Sequence, residues 1–401
     1  MLEDFFRTVS FGSYATYPVD VSVRAVVALS LLAFVPSYIA YAKQSARRST
    51  VYMFSALCAL LFMLISFVAV EDFFINRPLL VSLAKSLWAL LLAFALFDKR
   101  AKKKSFMKTY VTHPLESLLA HVGFLLFKIM PAAIASEVGG AIARAIGPLS
   151  RKYRKLISAN LKIAFPKSDA KWRKKVAGGM WDMMGRYMAE PAHFPRMFHL
   201  HDRYLTFEND KVLDKLQGKP FIIFSSHGGS LALISVPFIL RNMAVNIVYK
   251  YPSNNLMNGM ITASYARGMG KIDHITNDAP GARRMMAVLA SNGVLGVVPD
   301  HRVKGARLNF FGRKADTPIG AARLARHFDC PLLPIQIVRT KGLKHRIIFH
   351  EPFMPMKDDA ATMQKVSDMI EGWIRENPAQ WFWVHNRWGL TKDEIEKSAD
   401  A

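Results

Sequence analysis

Apolar positions fall into two regimes along this chain. Up to residue 97 they form long runs, and beyond residue 150 they come as short bursts between amphipathic stretches. Residues 21–42 are apolar apart from Arg24, residues 51–70 carry no charge, and residues 79–97 contain one, Lys85. Runs of about 20 residues match the hydrocarbon thickness of a bilayer, so each predicts a spanning helix. Lys85 is expected to snorkel or to pack against a neighbouring span. Lys43, Arg47 and Arg48 separate the first two runs, Glu71, Asp72 and Arg77 the next two, and Lys99, Arg100, Lys102, Lys103, Lys104 and Lys108 follow the third. Positive loops stay in the cytoplasm, which places the N-terminus outside and everything beyond residue 99 inside. A cleaved signal peptide fits poorly, because the first run is too long and no small-residue cleavage site stands at its start.

Residues 115–147 are apolar again but are interrupted by Lys128, Pro131, Glu137 and Arg144. They read as two helices lying on or dipping into the membrane surface, with a fourth span as the alternative. Past residue 151 a basic helical stretch runs to about 190. Strand-like bursts follow at 220–226, 245–250, 293–299, 331–338 and 345–350, with helical patterns at 256–267, 279–291, 317–328 and 359–376 between most of them. Strands alternating with helices predict an α/β fold with a mixed sheet flanked by helices. The domain reading is therefore 1–98 as three transmembrane helices, 99–150 as a basic linker with interfacial helices, 151–392 as a cytoplasmic α/β domain and 393–401 as a polar tail.

Charge sharpens this division. Residues 1–98 hold 7 Lys and Arg against 6 Asp and Glu, and the remaining chain holds 47 against 24. With a mean hydropathy of +0.14, this is a basic body behind a near-neutral apolar region. Such a body suits anionic partners: an acidic lipid surface, an acidic protein or nucleic acid. The basic residues are spread without a recognisable nucleic-acid module, which argues against the last. Cys58 and Cys330 have no CxxC partner, so neither a disulfide framework nor a cysteine metal site is expected.

The signatures of P-loop NTPases, dinucleotide enzymes, zincins and serine hydrolases are absent. Three other clusters carry candidate chemistry. In SSHGGSLAL (225–233) His227 leaves a buried strand into a loop with Gly228 and Gly229. A histidine there can act as a general base, and amides starting near Ser230 can stabilise an anion. A purely structural histidine at a strand end is the alternative. In VVPDHRVKGARLNFFG (297–312) Asp300 also follows a strand, at the end where α/β sheets place their sites. Arg302, Lys304 and Arg307 beside it form a phosphate-suited patch or a solvated basic loop. In NPAQWFWVHNRWG (377–389) aromatic residues surround His385 and Arg387. Packing against the core or the lipid interface explains them more readily than base stacking.

Taken in order, these pieces resemble the late, or secondary, acyltransferases of lipid A biosynthesis, the lauroyl/myristoyl acyltransferase type. The resemblance rests on Asn160 to Pro166 (N-L-x-x-A-F-P), His227, Val248-Tyr249-Lys250, an Arg at about Arg267, Pro299-Asp300-His301, Phe310-Phe311-Gly312, Thr317 to Gly320 and Gln380 to Trp388. It covers roughly 115–390. It implies a membrane-anchored, glycerolipid-acyltransferase-like domain at the cytoplasmic face of a bacterial inner membrane. The implied acyl donor is an acyl carrier protein thioester, and the implied acceptor is a hydroxyl of an anionic, phosphorylated glucosamine lipid. Lys250, Arg267, Arg302, Arg307, Arg387 and Ser230 become expected substrate contacts. No cofactor, metal or covalent acyl-enzyme is implied.

Two departures stand out. The N-terminal region is longer than the family's usual single anchor. The family also pairs its histidine with an acid five residues on, which fixes the imidazole tautomer as a triad acid does. Here that position is Ala232, and no Asp or Glu lies between Asp214 and Asp273. Three explanations are open: a substitution that removed the acid, a natural variant that orients His227 otherwise, for instance through Asp300, or a catalytically inactive lipid-binding protein. An acyltransferase for another glycolipid or aminolipid is a further alternative. If the acid is simply missing, a glutamate at 232 is expected to raise acyl transfer.

Overall fold

A computed structural model describes residues 112–249, 254 and 272–400. The three apolar runs of residues 21–97, Lys250 and Arg267 lie outside them. The described residues from Ala120 onward form one compact unit. Among the described residues no helix is long and apolar enough to cross a membrane.

Four helices open the described chain: α1 (His113–Ile129), α2 (Ala132–Ile146), α3 (Arg151–Ala164) and α4 (Ala170–Ala189). Pro131 separates the first two, because a proline offers no N–H to continue α1 but suits the start of α2. Ser150 caps α3, and Asp169 caps α4 by accepting from Trp172 N at 2.6 Å. Helices α2 and α4 touch through glycines. A Cβ on Gly139 would lie 2.6 Å from the Gly185 carbonyl oxygen, so only a bare backbone fits there. Arg186 ties the pair together, donating to both Glu137 carboxylate oxygens and to Asp182, each at 2.7 Å. The stretch 120–150 thus belongs to the α/β unit and is more than a linker.

Seven strands form the main sheet: β1 (Leu205–Glu208), β2 (Phe221–Phe224), β3 (Val245–Tyr249), β4 (Ile272–Thr276), β5 (Val294–Val297), β8 (Leu332–Lys341) and β9 (Lys344–Phe349). Their order is β1-β9-β8-β2-β5-β3-β4. All neighbours are parallel except the β8–β9 hairpin, so the sheet is mixed. Central β2 is buried on both faces. Ile222 and Phe224 join the core cluster beneath the C-terminal helices, and Phe221 and Ile223 join the opposite cluster, as the two-residue side-chain period requires. Helices α5 (Ala279–Ala290), α6 (Gly320–His327) and α7 (Asp359–Glu376) match the expected segments closely. Residues beyond 392, expected as a polar tail, form α8 (Lys392–Asp400), and Lys155 of α3 reaches Glu396 at 3.4 Å.

The stretch Ala306–Thr317, read as a basic loop and the start of a helix, is instead an antiparallel hairpin of β6 (Ala306–Phe310) and β7 (Arg313–Thr317). Its two-residue turn puts Phe311 at φ +53° and Gly312 at φ +75°. A phenylalanine in that region is strained, and its N–H is held by Glu371 Oε2 at 2.5 Å.

Candidate active site

Strands β2 and β5 are adjacent and parallel, with Phe224 opposite Val297. Both chains leave the sheet at its carboxyl edge. His227 and Asp300 each stand three residues past that register pair, so equal displacement along parallel strands brings them together. His227 Nδ1 lies 2.6 Å from Asp300 Oδ1. Asp300 Oδ2 accepts from the His227 backbone N–H and from the Trp381 indole N–H, both at 2.7 Å. Asp300 is fully buried at its side chain, whereas the imidazole keeps 26% of its surface exposed.

Burial opposes the charge on Asp300. The charge and hydrogen bond of His227, reinforced by the Trp381 N–H, nevertheless hold its carboxyl well below the usual carboxylate range. A carboxylate only accepts, so the Nδ1 hydrogen belongs to His227, and in the neutral ring Nε2 carries the free lone pair. That is the tautomer a general base needs.

Glycines shape the loop after His227. A Cβ on Gly228 would meet the Gln380 carbonyl oxygen at 2.5 Å, and Gly229 has φ +60°. Gly228 forms an antiparallel bridge with Trp381, which brings the aromatic block against the loop. Asn160, first residue of the N-L-x-x-A-F-P element, pins that block from behind by donating to the carbonyls of Trp383 and His385, each at 2.8 Å. Phe165 and Pro166 of the element meet Phe311 and Gly312 around a separate groove of about 690 Å³. These two motifs therefore support the site from outside.

Three imidazoles are stacked. The His301 ring lies 3.5 Å from His227 and nearly parallel at 3°, and His385 covers its other face at 4.1 Å. His385 Nε2 accepts the Arg302 backbone N–H at 2.8 Å. Burial, with neighbouring positive charge, pushes His301 down to about 3 and His385 to about 4. Outside the stack, burial and Arg339 lower His345 to about 4 as well. These three rings are thus neutral near pH 7. Below their ordinary value of 6.5 the unfolded chain binds protons that the native chain refuses until about 4 or lower. Stability must therefore decline on acidification, by up to about 1.4 kcal/mol per pH unit for each ring. The melting temperature is expected to fall several degrees from pH 7 to pH 5. A constant value across that range would contradict the neutral rings.

The other expected contacts divide. Arg302 and Arg307 are exposed. Arg302 pairs with Asp316 at 3.3 Å, and Arg307 stands opposite Asp316 in the hairpin. Both stay at the surface, where they can face a ligand. Ser230 does not: it is fully buried, and its hydroxyl donates to Glu190 Oε2 at 2.8 Å. The chain after it makes a 3-10 turn, Leu231–Ser235, and one helical turn, Val236–Ile239, so no long helix start points at the site. Arg387 is buried too. It donates to the Asp316 carbonyl and to Thr317 Oγ1 at 2.5 and 2.6 Å and packs over the Phe310 ring at 4.9 Å. Both are structural in this arrangement. Ala232 is buried in the apolar cluster of Phe221, Leu233 and Ile335. Asp300 already occupies the Nδ1 that an acid at 232 was expected to hold.

A buried carboxylate hydrogen-bonded to a part-exposed histidine, at the carboxyl edge of a mixed α/β sheet, is an arrangement able to take a proton from a hydroxyl or water. The profile of the bacterial lipid A biosynthesis acyltransferase family matches residues 102–389, well over half of the chain's 401 residues. The chain belongs to that family and is an acyltransferase. No curated protein sequence matches it significantly.

Proposed function

We propose that this protein transfers a fatty acyl group from acyl carrier protein to a hydroxyl of a lipid A precursor, at the cytoplasmic face of the inner membrane. The observation that carries the chemistry is the His227–Asp300 couple. His227 Nε2 takes the acceptor's hydroxyl proton as the oxygen attacks the thioester carbonyl. The tetrahedral intermediate collapses by breaking the C–S bond. The leaving thiolate recovers the proton from the imidazolium, giving an ester and a free thiol. Asp300 stabilises that imidazolium and stays ionised throughout.

The setting supports an anionic lipid and an acidic donor protein. Residues 99–401 hold 47 Lys and Arg against 24 Asp and Glu. On α1 and α2 and just past them, Ile129, Ile146 and Leu149 are 79%, 60% and 75% exposed, an apolar surface suited to a bilayer interface. Three spans ahead of residue 99 would tether it there. A reporter fused after Lys104 should then stay cytoplasmic, and an exported reporter would reverse the topology. For the function itself the test is mass spectrometry of lipids from cells with and without the gene. An acyl-mass difference on lipid A is expected, and a difference confined to another lipid would move the acceptor elsewhere.

Arg302 and Arg307, with Arg267, are assigned to recognition of the acceptor's or the donor's phosphates. Arg302→Ala and Arg307→Ala should each weaken a phosphorylated acceptor about tenfold, a charge-assisted hydrogen bond's worth. The melting temperature should hold, since both side chains are exposed. Unchanged KM in both variants and in Arg267→Ala would remove the role.

A further inference from the structure

We propose that Arg339 is a positioning residue that holds both members of the catalytic couple, one through its side chain and one through its backbone. The proposal rests on the assignment of His227 as base and Asp300 as its orienting acid. Arg339 lies near the end of β8, where the β8–β9 register shifts between Arg339 and Lys341. Such irregularities re-aim side chains, and here the guanidinium turns inward, leaving its side chain 9% exposed.

The side-chain arm reaches the His227 loop. Arg339 Nη1 and Nη2 donate to Glu190 Oε1 and Oε2, both at 2.7 Å, and Nη2 also donates to Ser230 Oγ at 3.1 Å. Glu190 is fully buried, and it also accepts from Ser136 Oγ at 2.7 Å and Ser230 Oγ at 2.8 Å. Ser230 follows His227 by three residues, across the two glycines that leave that loop little rigidity of its own. The Glu190–Arg339 fork supplies it.

The backbone arm reaches Asp300. Arg339 N donates to Gln380 Oε1 and Gln380 Nε2 donates back to Arg339 O, each at 2.9 Å. Gln380 immediately precedes Trp381, whose indole N–H holds Asp300 and whose backbone bridges Gly228. One residue of a rigid sheet is thus common to the anchors of base and acid. Two parallel N–H donors in a fixed plane are what Arg offers and Lys does not.

Three variants test this, with labelled acyl transfer, melting temperature and the downfield proton resonance of the His227 Nδ1–H as readouts. Arg339→Lys keeps the charge and loses the fork. It should lower kcat about 10- to 100-fold, the scale of a misplacement near 1 Å, with KM within about twofold. Ser230→Ala and Gln380→Ala each remove one arm and leave the ion pair, so they bear the test even if Arg339→Lys fails to fold. Each should lower kcat about three- to tenfold and broaden the resonance, and the double variant, with both arms gone, should fall by about the product of the two. A fall in melting temperature with kcat and the resonance unchanged would overturn the proposal and leave a merely structural ion pair. His227→Ala separates the two readings. If it still transfers acyl groups, the couple itself is wrong; if it is inactive while both arm variants keep full kcat, only the positioning role is.

Discussion

Asp300→Asn is expected to lower kcat about 10⁴-fold, the scale found when an orienting acid is replaced by its amide. The reason lies in which oxygen the amide nitrogen must replace. Oδ2 accepts two N–H groups, from the His227 backbone and the Trp381 indole. An NH₂ placed there would face two donors, so it must take the Oδ1 position, opposite His227 Nδ1. That ring nitrogen then has to accept, the ring hydrogen moves to Nε2, and the lone pair needed by the acceptor hydroxyl is gone. Because asparagine fills the same space and keeps both Oδ2 bonds, the fold and KM should change little. Labelled acyl transfer with carrier-protein thioester and a lipid A precursor measures it. A kcat within tenfold of the unsubstituted protein would show that Asp300 does not set the tautomer.

Much of this site was legible in the sequence, because its two principal residues end apolar bursts. PFIIFSS and GVLGVVP announce buried parallel strands, and the residues that leave such strands lie at the sheet's carboxyl edge. Nothing in the sequence said that β2 and β5 are neighbours, since β3 and β4 come between them in the chain. The pairing of His227 with Asp300 was for that reason one possibility among three. Strands β1, β4, β6 and β7 escaped the pattern for a different reason. ARLNF and RKADT form a two-stranded hairpin and bury only alternate positions, and LTFE and IDHIT lie at the sheet edges with one buried residue each, Leu205 and Ile275, so their polar residues hide the strand.

Charge misled where it was buried. Arg387 looked like a ligand contact among aromatics, but Thr317, Asp316 and the Phe310 ring enclose it, and burial pushes its guanidinium down to about 10. Glu190 and Arg339 gave no local signal at all, being 149 residues apart. The imidazole stack was equally silent. His301 and His385 stood in two separate motifs, and the hydrogen bond from Arg302 N to His385 Nε2 joins the second to the first.

Ala232→Glu is the sharpest test of what replaced the expected acid, and the structure reverses the sign of its effect. From sequence, a glutamate there was to raise transfer by orienting His227. In the fold, Ala232 is 9% exposed within a 3-10 turn, in an apolar cluster with Phe221, Leu233 and Ile335. An unpaired carboxylate placed among such side chains costs about 3–5 kcal/mol or takes up a proton to avoid the charge. A loss of that size lowers the melting temperature of a domain of this length by roughly 10 °C. His227 Nδ1, moreover, is already donating to Asp300 at 2.6 Å and has no second hydrogen to offer. The folded fraction of Ala232→Glu should therefore be no more active than the unsubstituted chain. The decisive comparison is the double variant Asp300→Asn with Ala232→Glu. If Asp300 alone orients the base, the added glutamate restores nothing and the double variant stays about 10⁴-fold down. Recovery to within tenfold would mean that position 232 can reach the ring, and that the carboxylate's place in this family's site is interchangeable between the loop after β2 and the loop after β5.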